Sequence, residues 1–241
     1  MILVIVAAGS GKRLRKEIPK CLNEINGIAL IEHLKPFMKK FKKVIIVTGF
    51  KGKLIRQKLK NEKNIFFVKN SKFKKSNMVF SLFCAKKLIP KNNDIVISYS
   101  DIIFDPKIYS TLKKYDFTFM PLKTNWLKVW KKRMPVNKIR SDAENLITKN
   151  DKIISIGGKI FNTYPKYQFM GLMKIKYKEF IFMHKIFKLI KKINIDFTNF
   201  INLLIKQFSF VLYYKKTNVR WFEIDTYRDL KVIKKTGLKS L

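Results

Sequence analysis

A chain of 241 residues with 53 Lys and Arg against 16 Asp and Glu makes its few carboxylates the most informative side chains. Three of them stand at the ends of apolar runs. Asp101 closes Ser98-Tyr99-Ser100-Asp101, and Glu223 and Asp225 lie in Trp221-Phe222-Glu223-Ile224-Asp225. A strand would put Glu223 and Asp225 on one face. Parallel strands deliver their C-terminal ends to one edge of an α/β sheet, where ligands bind. Asp101 and Asp225 are therefore expected to converge on a Mg²⁺ that also holds triphosphate oxygens. A single strand-end aspartate is a common turn residue, so the expectation rests on the pair.

The cationic counterpart is near the N-terminus. Ala7-Ala8-Gly9-Ser10-Gly11-Lys12-Arg13-Leu14 follows the first apolar run directly. Two glycines let backbone come close to a ligand, and amides in such a turn point at phosphate oxygens. The dinucleotide fingerprint is excluded, because Leu14 stands where its third glycine belongs. The phosphate loop of kinases and GTPases is excluded too, because only Ser10 separates Gly9 from Gly11. Pro19-Lys20 follows. Lys12, Arg13 and Lys20 can surround a triphosphate, and Lys20 can stabilise charge developing on a reacting phosphate. Taken singly, each is a solvated lysine or a tight turn.

These groups need a frame. Residues 2–7 form a continuous β-branched run and read as a buried parallel strand. Further strands are expected over 43–48, 65–68 and 94–98, and helices over 28–40, 52–61 and 77–88. Alternation of this kind implies a mixed, mostly parallel sheet covered on both faces by helices, a Rossmann-like α/β fold. The second half is less regular. Strands are expected at 117–120, 152–156, 167–175 and 221–225, and helices at 180–193, 197–207 and 227–235. The stretch 123–150 reads as polar and aromatic without a clear element. One domain is expected over 1–241, with 1–115 and 116–241 as its two halves.

Composition narrows the class. At 47% apolar residues the chain builds a sizeable core and is not disordered. No charge-free run approaches the roughly 20 residues of a membrane span, and basic residues follow the first apolar run where a secretory signal would place them before it. A cytoplasmic protein with no membrane partner is expected. The charge of +37 raises nucleic acid as a partner. Its basic pairs, from Lys39-Lys40 to Lys234-Lys235, are spread evenly, with no basic tail or arginine-rich arm, so specific nucleic-acid binding is not expected. Cys21, Cys84, His33 and His184 make no metal or disulfide pattern.

With those residues assembled, the chain resembles nucleotidyltransferases of the sugar-nucleotide pyrophosphorylase type, from Met1 to about the final helix. The resemblance is carried by Ala7-Ala8-Gly9-x-Gly11-x-Arg13, Pro19-Lys20-Cys21-Leu22, Ile45-Ile46-Val47-Thr48-Gly49-Phe50-Lys51, Ser76-Asn77-x-x-x-Ser81-Leu82, Asp101 and Trp221-x-Glu223-Ile224-Asp225. It looks most like the small cytidylyltransferases that activate phosphocholine and similar compounds. Sugar-1-phosphate enzymes, the first rival, usually have a longer loop with Pro and Thr.

The resemblance implies transfer of CMP from CTP to a small phosphorylated acceptor, of the phosphoglutamine or phosphocholine kind, in capsule or surface polysaccharide modification. Ala7, Ala8, Gly9 and Ser10 would approach the nucleoside. Gly11, Lys12 and Arg13 would hold the outer phosphates. Lys20 would contact the reacting phosphates, and Asn77, Ser81 and Tyr99 would lie near the nucleotide. Asp101, Asp225 and Glu223 would bind Mg²⁺. Arg133, Arg140, Asp142, Glu144 and Gly171 would reach the acceptor, with an arginine suited to an amino-acid carboxylate and Trp126 or Trp130 to a quaternary ammonium.

Overall fold

The computed structural model describes residues 1–11, 14 and 17–236. Strand β1 (Ile2–Ala7) is buried along its whole length. Its odd residues Leu3, Ile5 and Ala7 join one core layer, and its even residues Ile2, Val4 and Val6 join another. A central strand covered on both faces needs apolar residues at every position, and strand periodicity then sorts them into two layers.

A 3-10 turn at Lys20–Leu22 precedes a short ribbon of β2 (Glu24–Ile25) and β3 (Ile28–Ala29). Then come α1 (Leu30–His33), α2 (Lys35–Met38), β4 (Val44–Thr48), α3 (Gly52–Lys58), β5 (Ile65–Lys69), α4 (Met78–Cys84) and β6 (Ile95–Tyr99). Strands β5, β4, β1 and β6 lie side by side and parallel. The helix expected over 28–40 is a strand and two short helices instead. Pro36 in the first turn of α2 cannot continue a helix begun earlier, and Leu34 makes the joint.

The chain continues through β7 (Ile102–Phe104), α5 (Ile108–Lys114), β8 (Phe119–Lys123), α6 (Trp126–Arg133), α7 (Val136–Asp142), β9 (Leu146–Lys149), β10 (Lys152–Ile156), β11 (Gln168–Phe169) and β12 (Leu172–Ile175). It ends with α8 (Tyr177–Ile190), α9 (Phe197–Gln207), β13 (Tyr213–Thr217), β14 (Trp221–Glu223) and α10 (Tyr227–Thr236). The stretch 123–150 therefore holds two helices and a strand, and β13 was not anticipated. The strand expected over 167–175 breaks at Gly171, whose φ of +77° no strand accommodates.

The sheet order is β5-β4-β1-β6-β12-β8-β13-β10-β9, with β11 beside β8. Among the described strands of this sheet, β12, β10 and β11 alone run against the rest, so the mixed, mostly parallel α/β sheet flanked by helices is what the sequence predicts. Leu30, Phe37, Ile108, Leu112, Trp126 and Ile233 cover one face. Phe83, Phe180, Phe187, Phe200 and Leu204 cover the other. Among the described residues no helix is long and apolar enough to cross a membrane. Cys21 and Cys84 are free thiols.

Candidate active site

The C-terminal ends of β1, β4 and β6 meet at one edge of the sheet, where Phe50 N–H donates to Ala8 C=O at 3.1 Å. The glycine turn leaves this edge. Gly11 has φ +64°, and a Cβ there would lie 2.8 Å from the Lys20 Cβ. Only glycine lets the turn pack against Lys20, so the loop fixes the lysine by contact. Lys12 and Arg13 lie outside the described residues.

Lys20 then reaches across the edge. Its Nζ is 2.5 Å from Asp101 Oδ2 and 2.5 Å from Asp225 Oδ1. The two scarce carboxylates thus meet opposite the glycine turn, as expected from sequence. Their route differs from that expectation. Asp225 does not follow a strand of the main sheet. Strand β14 ends at Glu223 and pairs antiparallel with β7 in a separate two-stranded ribbon. Ile224 N–H donates to Asp101 C=O at 2.9 Å, so one backbone hydrogen bond ties the neighbourhoods of both aspartates together.

Burial opposes the Lys20 charge, but Asp101, Asp225 and Glu223 outweigh it and hold the ammonium above the ordinary lysine range. Burial also pushes the Glu223 carboxyl up to about 7. Arg133 pulls against that rise, and Asp101 and Asp225 reinforce it. Asp101 Oδ1 is buried without a hydrogen-bond partner among the described residues. A cation already bridges the two aspartates and an acceptor oxygen is left over. The two aspartates offer the hard oxygens that a divalent ion takes, although no group of three or more His, Cys, Asp or Glu gathers around a metal position among the described residues.

Beside this cluster is a cavity of about 220 Å³. Tyr99, Trp130, Asp142, Glu144, Gly171, Trp221, Glu223 and Asp225 line it. Gly171 matters for its shape, because a Cβ would come within 3.1 Å of the Tyr99 ring. Tyr99 forms part of this wall, packed edge-on against Phe169 and Phe197. Burial raises its pKa far above the ordinary phenol value, with Glu144 and Asp101 adding to the rise. Glu144 is likewise raised by burial, and it accepts from Thr198 Oγ1 at 2.8 Å. Trp130 Nε1 donates to Asp142 at 2.8 Å. Trp130 and Trp221 stack with centroids 5.3 Å apart.

Four residues expected at ligands are placed in the framework. Arg133 is 1% exposed and absent from the cavity wall. It donates to Glu223 at 3.1 Å and Asp229 at 3.0 Å, because a guanidinium buried this deeply must be paired. Arg140 gives Nη1 and Nη2 to the carbonyls of Phe161 and Asn162. Asn77 caps α4 by accepting from Met78 N–H at 2.7 Å. Ser81 is buried and accepts from Asn70 at 2.9 Å. Trp126 is also structural, its Nε1 donating to Pro165 C=O at 2.9 Å.

Asp229 was not singled out from sequence, although Thr226-x-x-Asp229 carries the signature of a reciprocal helix cap. The aromatic wall formed by Trp221 was missed as well. No local signal marks a tryptophan that faces a cavity.

The MobA-like NTP transferase domain matches residues 3–115. The CTP:phosphoglutamine cytidylyltransferase of Campylobacter jejuni subsp. jejuni is 31% identical, over 96% of this chain and 98% of that protein. Among solved structures, the inositol-1-phosphate CTP transferase of T. maritima superposes with a TM-score of 0.77 at 17% identity, covering 98% of this chain and 96% of that one. The CTP:phosphocholine cytidylyltransferase of Streptococcus pneumoniae gives 0.71 at 18% identity, covering 97% and 98%.

Proposed function

This chain belongs to the nucleotidyltransferases with a MobA-like NTP transferase domain, and from that premise we propose that it transfers CMP from CTP to a small phosphorylated acceptor bearing a cationic nitrogen. The observation that carries the reading is the meeting of Asp101, Asp225 and Lys20 at the sheet edge, beside a cavity walled by carboxylates and indoles.

A phosphate oxygen of the acceptor attacks the α-phosphorus of CTP, and pyrophosphate leaves in line. Such a transfer needs no protein nucleophile; positioning and electrostatics do the work. The turn from Gly9 to Gly11 offers amides to the phosphates. Lys20, held protonated by its carboxylate neighbours, meets the charge that grows on the reacting phosphate. Asp101 and Asp225 would hold Mg²⁺, which supplies charge neutralisation to the triphosphate when bound.

The acceptor side follows from the cavity. Asp142, Glu144 and Glu223 bring carboxyl groups into the wall of a strongly basic protein. Carboxylates suit an ammonium group through charge-assisted hydrogen bonds, and Trp130 and Trp221, stacked on each other, wall the cavity beside them. Phosphoglutamine and phosphocholine, named for two relatives, both carry such a nitrogen. Because Arg133 and Arg140 are engaged elsewhere, the reading assigns neither of them to an acceptor carboxylate.

The test is pyrophosphate release with Mg²⁺ across CTP, UTP, GTP and dTTP, each with phosphoglutamine, phosphocholine, inositol 1-phosphate and glucose 1-phosphate. CTP with a nitrogen-bearing acceptor should be the best pair. A sugar phosphate as the best acceptor would overturn the acceptor assignment, and silence with every pair would overturn the reaction.

A further inference from the structure

The residue that ties Asp225 in place is on the last helix. Asp229 is 1% exposed. Its Oδ2 accepts from Asp225 N–H at 3.0 Å, Thr226 N–H at 2.7 Å and Thr226 Oγ1 at 2.9 Å. Its Oδ1 accepts from Arg133 Nε at 3.0 Å. Arg133 also donates through Nη1 to Glu223, and its guanidinium lies 4.8 Å from the Trp130 ring centroid. One buried carboxylate thus holds the backbone at Asp225, and one buried guanidinium holds that carboxylate and Glu223 together.

A helix cap needs less than this. The pair of Thr226 and Asp229 already closes the N-terminus of α10, with Asp229 N–H donating back to Thr226 Oγ1 at 3.3 Å. The bond to Asp225 N–H lies one residue outside the cap, and Arg133 comes from a helix 90 residues or more away in sequence. A buried arginine paired with three acids, Glu223, Asp229 and, at 3.8 Å, Asp142, is a costly way to cap a helix. Its geometric result is to fix the segment 223–226, which carries Asp225 to Lys20.

We propose that Asp229 and Arg133 are positioning residues: they set the main chain at Asp225 so that its carboxylate meets Lys20 and Asp101 in one arrangement. Neither faces the reacting phosphates. Removing them should leave CTP affinity near normal, weaken the grip on a divalent ion, and lower kcat. The proposal rests on the nucleotidyltransferase reading only for its kinetic half.

Two alanine variants separate positioning from capping. Thr226→Ala removes the hydroxyl from the cap but leaves Asp229 able to accept from Asp225 N–H. Asp229→Ala removes both. Thr226→Ala should lower the melting temperature and keep kcat within about threefold. Asp229→Ala should lower kcat at least thirtyfold and raise the apparent Mg²⁺ requirement about tenfold, with KM for CTP changed less than threefold. Mn²⁺ titrated against CTP-loaded protein by electron paramagnetic resonance should bind about tenfold more weakly to Asp229→Ala than to wild type. Should Asp229→Ala not fold, Asp229→Asn and Arg133→Lys, which keep the volume and lose the fork, carry the same comparison with smaller losses. Equal kcat and equal Mn²⁺ affinity in the Thr226 and Asp229 variants would overturn the proposal. Absence of wild-type turnover with every nucleotide would overturn the reaction instead, and the Mn²⁺ comparison would still decide this one.

Discussion

The two sides of the active site are built by different means. Around the glycine turn, backbone does the placing. Ala8, Gly11 and Asp101 are where they are because β1 and β6 are adjacent parallel strands that end together. Around the neighbouring cavity, side chains do it. Glu223 and Asp225 arrive on a two-stranded ribbon outside the main sheet, and Arg133 and Asp229 tie them down. A parallel sheet fixes positions through a ladder that tolerates many sequences, whereas a buried ionic network fails when one member is lost.

The comparison breaks most sharply at the point where the two sides touch. Asp101→Asn and Asp225→Asn should each reduce turnover about 100- to 1000-fold at any Mg²⁺ concentration, with circular dichroism unchanged. Near-normal rates in both would remove the shared cluster. Lys20→Ala should lower kcat by a similar factor and affect CTP binding less.

Gly11→Ala tests the backbone side. A Cβ 2.8 Å from the Lys20 Cβ, at a φ of +64°, should displace the lysine or the turn and cost about 1–3 kcal/mol in strain. A kcat reduced roughly tenfold or more is expected, with the acceptor KM unaltered. Glu144→Gln tests the other side and should do the reverse. The acceptor KM should rise roughly tenfold, the loss expected for one charge-assisted contact, while the CTP KM stays put. A variant that moved both constants together would show that the two sides are not separable.

The smallest effect is a pH slope. In the folded chain Glu223 titrates near 7, and in the unfolded chain near 4.3. A raised carboxylate favours the folded state only while it is protonated. Its contribution is complete at low pH and is lost as pH climbs toward 7. Wild-type protein in metal-free buffer should lose some stability between pH 5 and 7 that Glu223→Gln retains. Parallel melting curves for the two across that range would show that Glu223 is not raised.

The same contrast decides what a reader of the sequence sees. The strand over Ile2–Ala7 and the strand over Val44–Thr48 are legible because both faces are covered and every residue but Thr48 is apolar. Asp101 and Asp225 are legible because carboxylates are rare in this chain. Arg133 is legible only as a charge: one cation among 53 gives no sign that it is buried against partners some 90 residues on. Tyr99 and Gly171 were both marked as site residues, but their contact depends on β12 running back beside β6, which no local pattern announces. Asp229 had a local signature as a cap, and its second bond, to Asp225 N–H, had none.

The hydrogen bond from Ile224 to Asp101 has a consequence for how the protein comes into being. During synthesis the glycine turn, Lys20 and Asp101 leave the ribosome with the parallel strands that hold them. At 5–20 residues per second, Asp225 follows roughly ten seconds later. Until then the nascent chain has the glycine turn with half of its carboxylate pair, and the centre closes only when the last ribbon and helix dock.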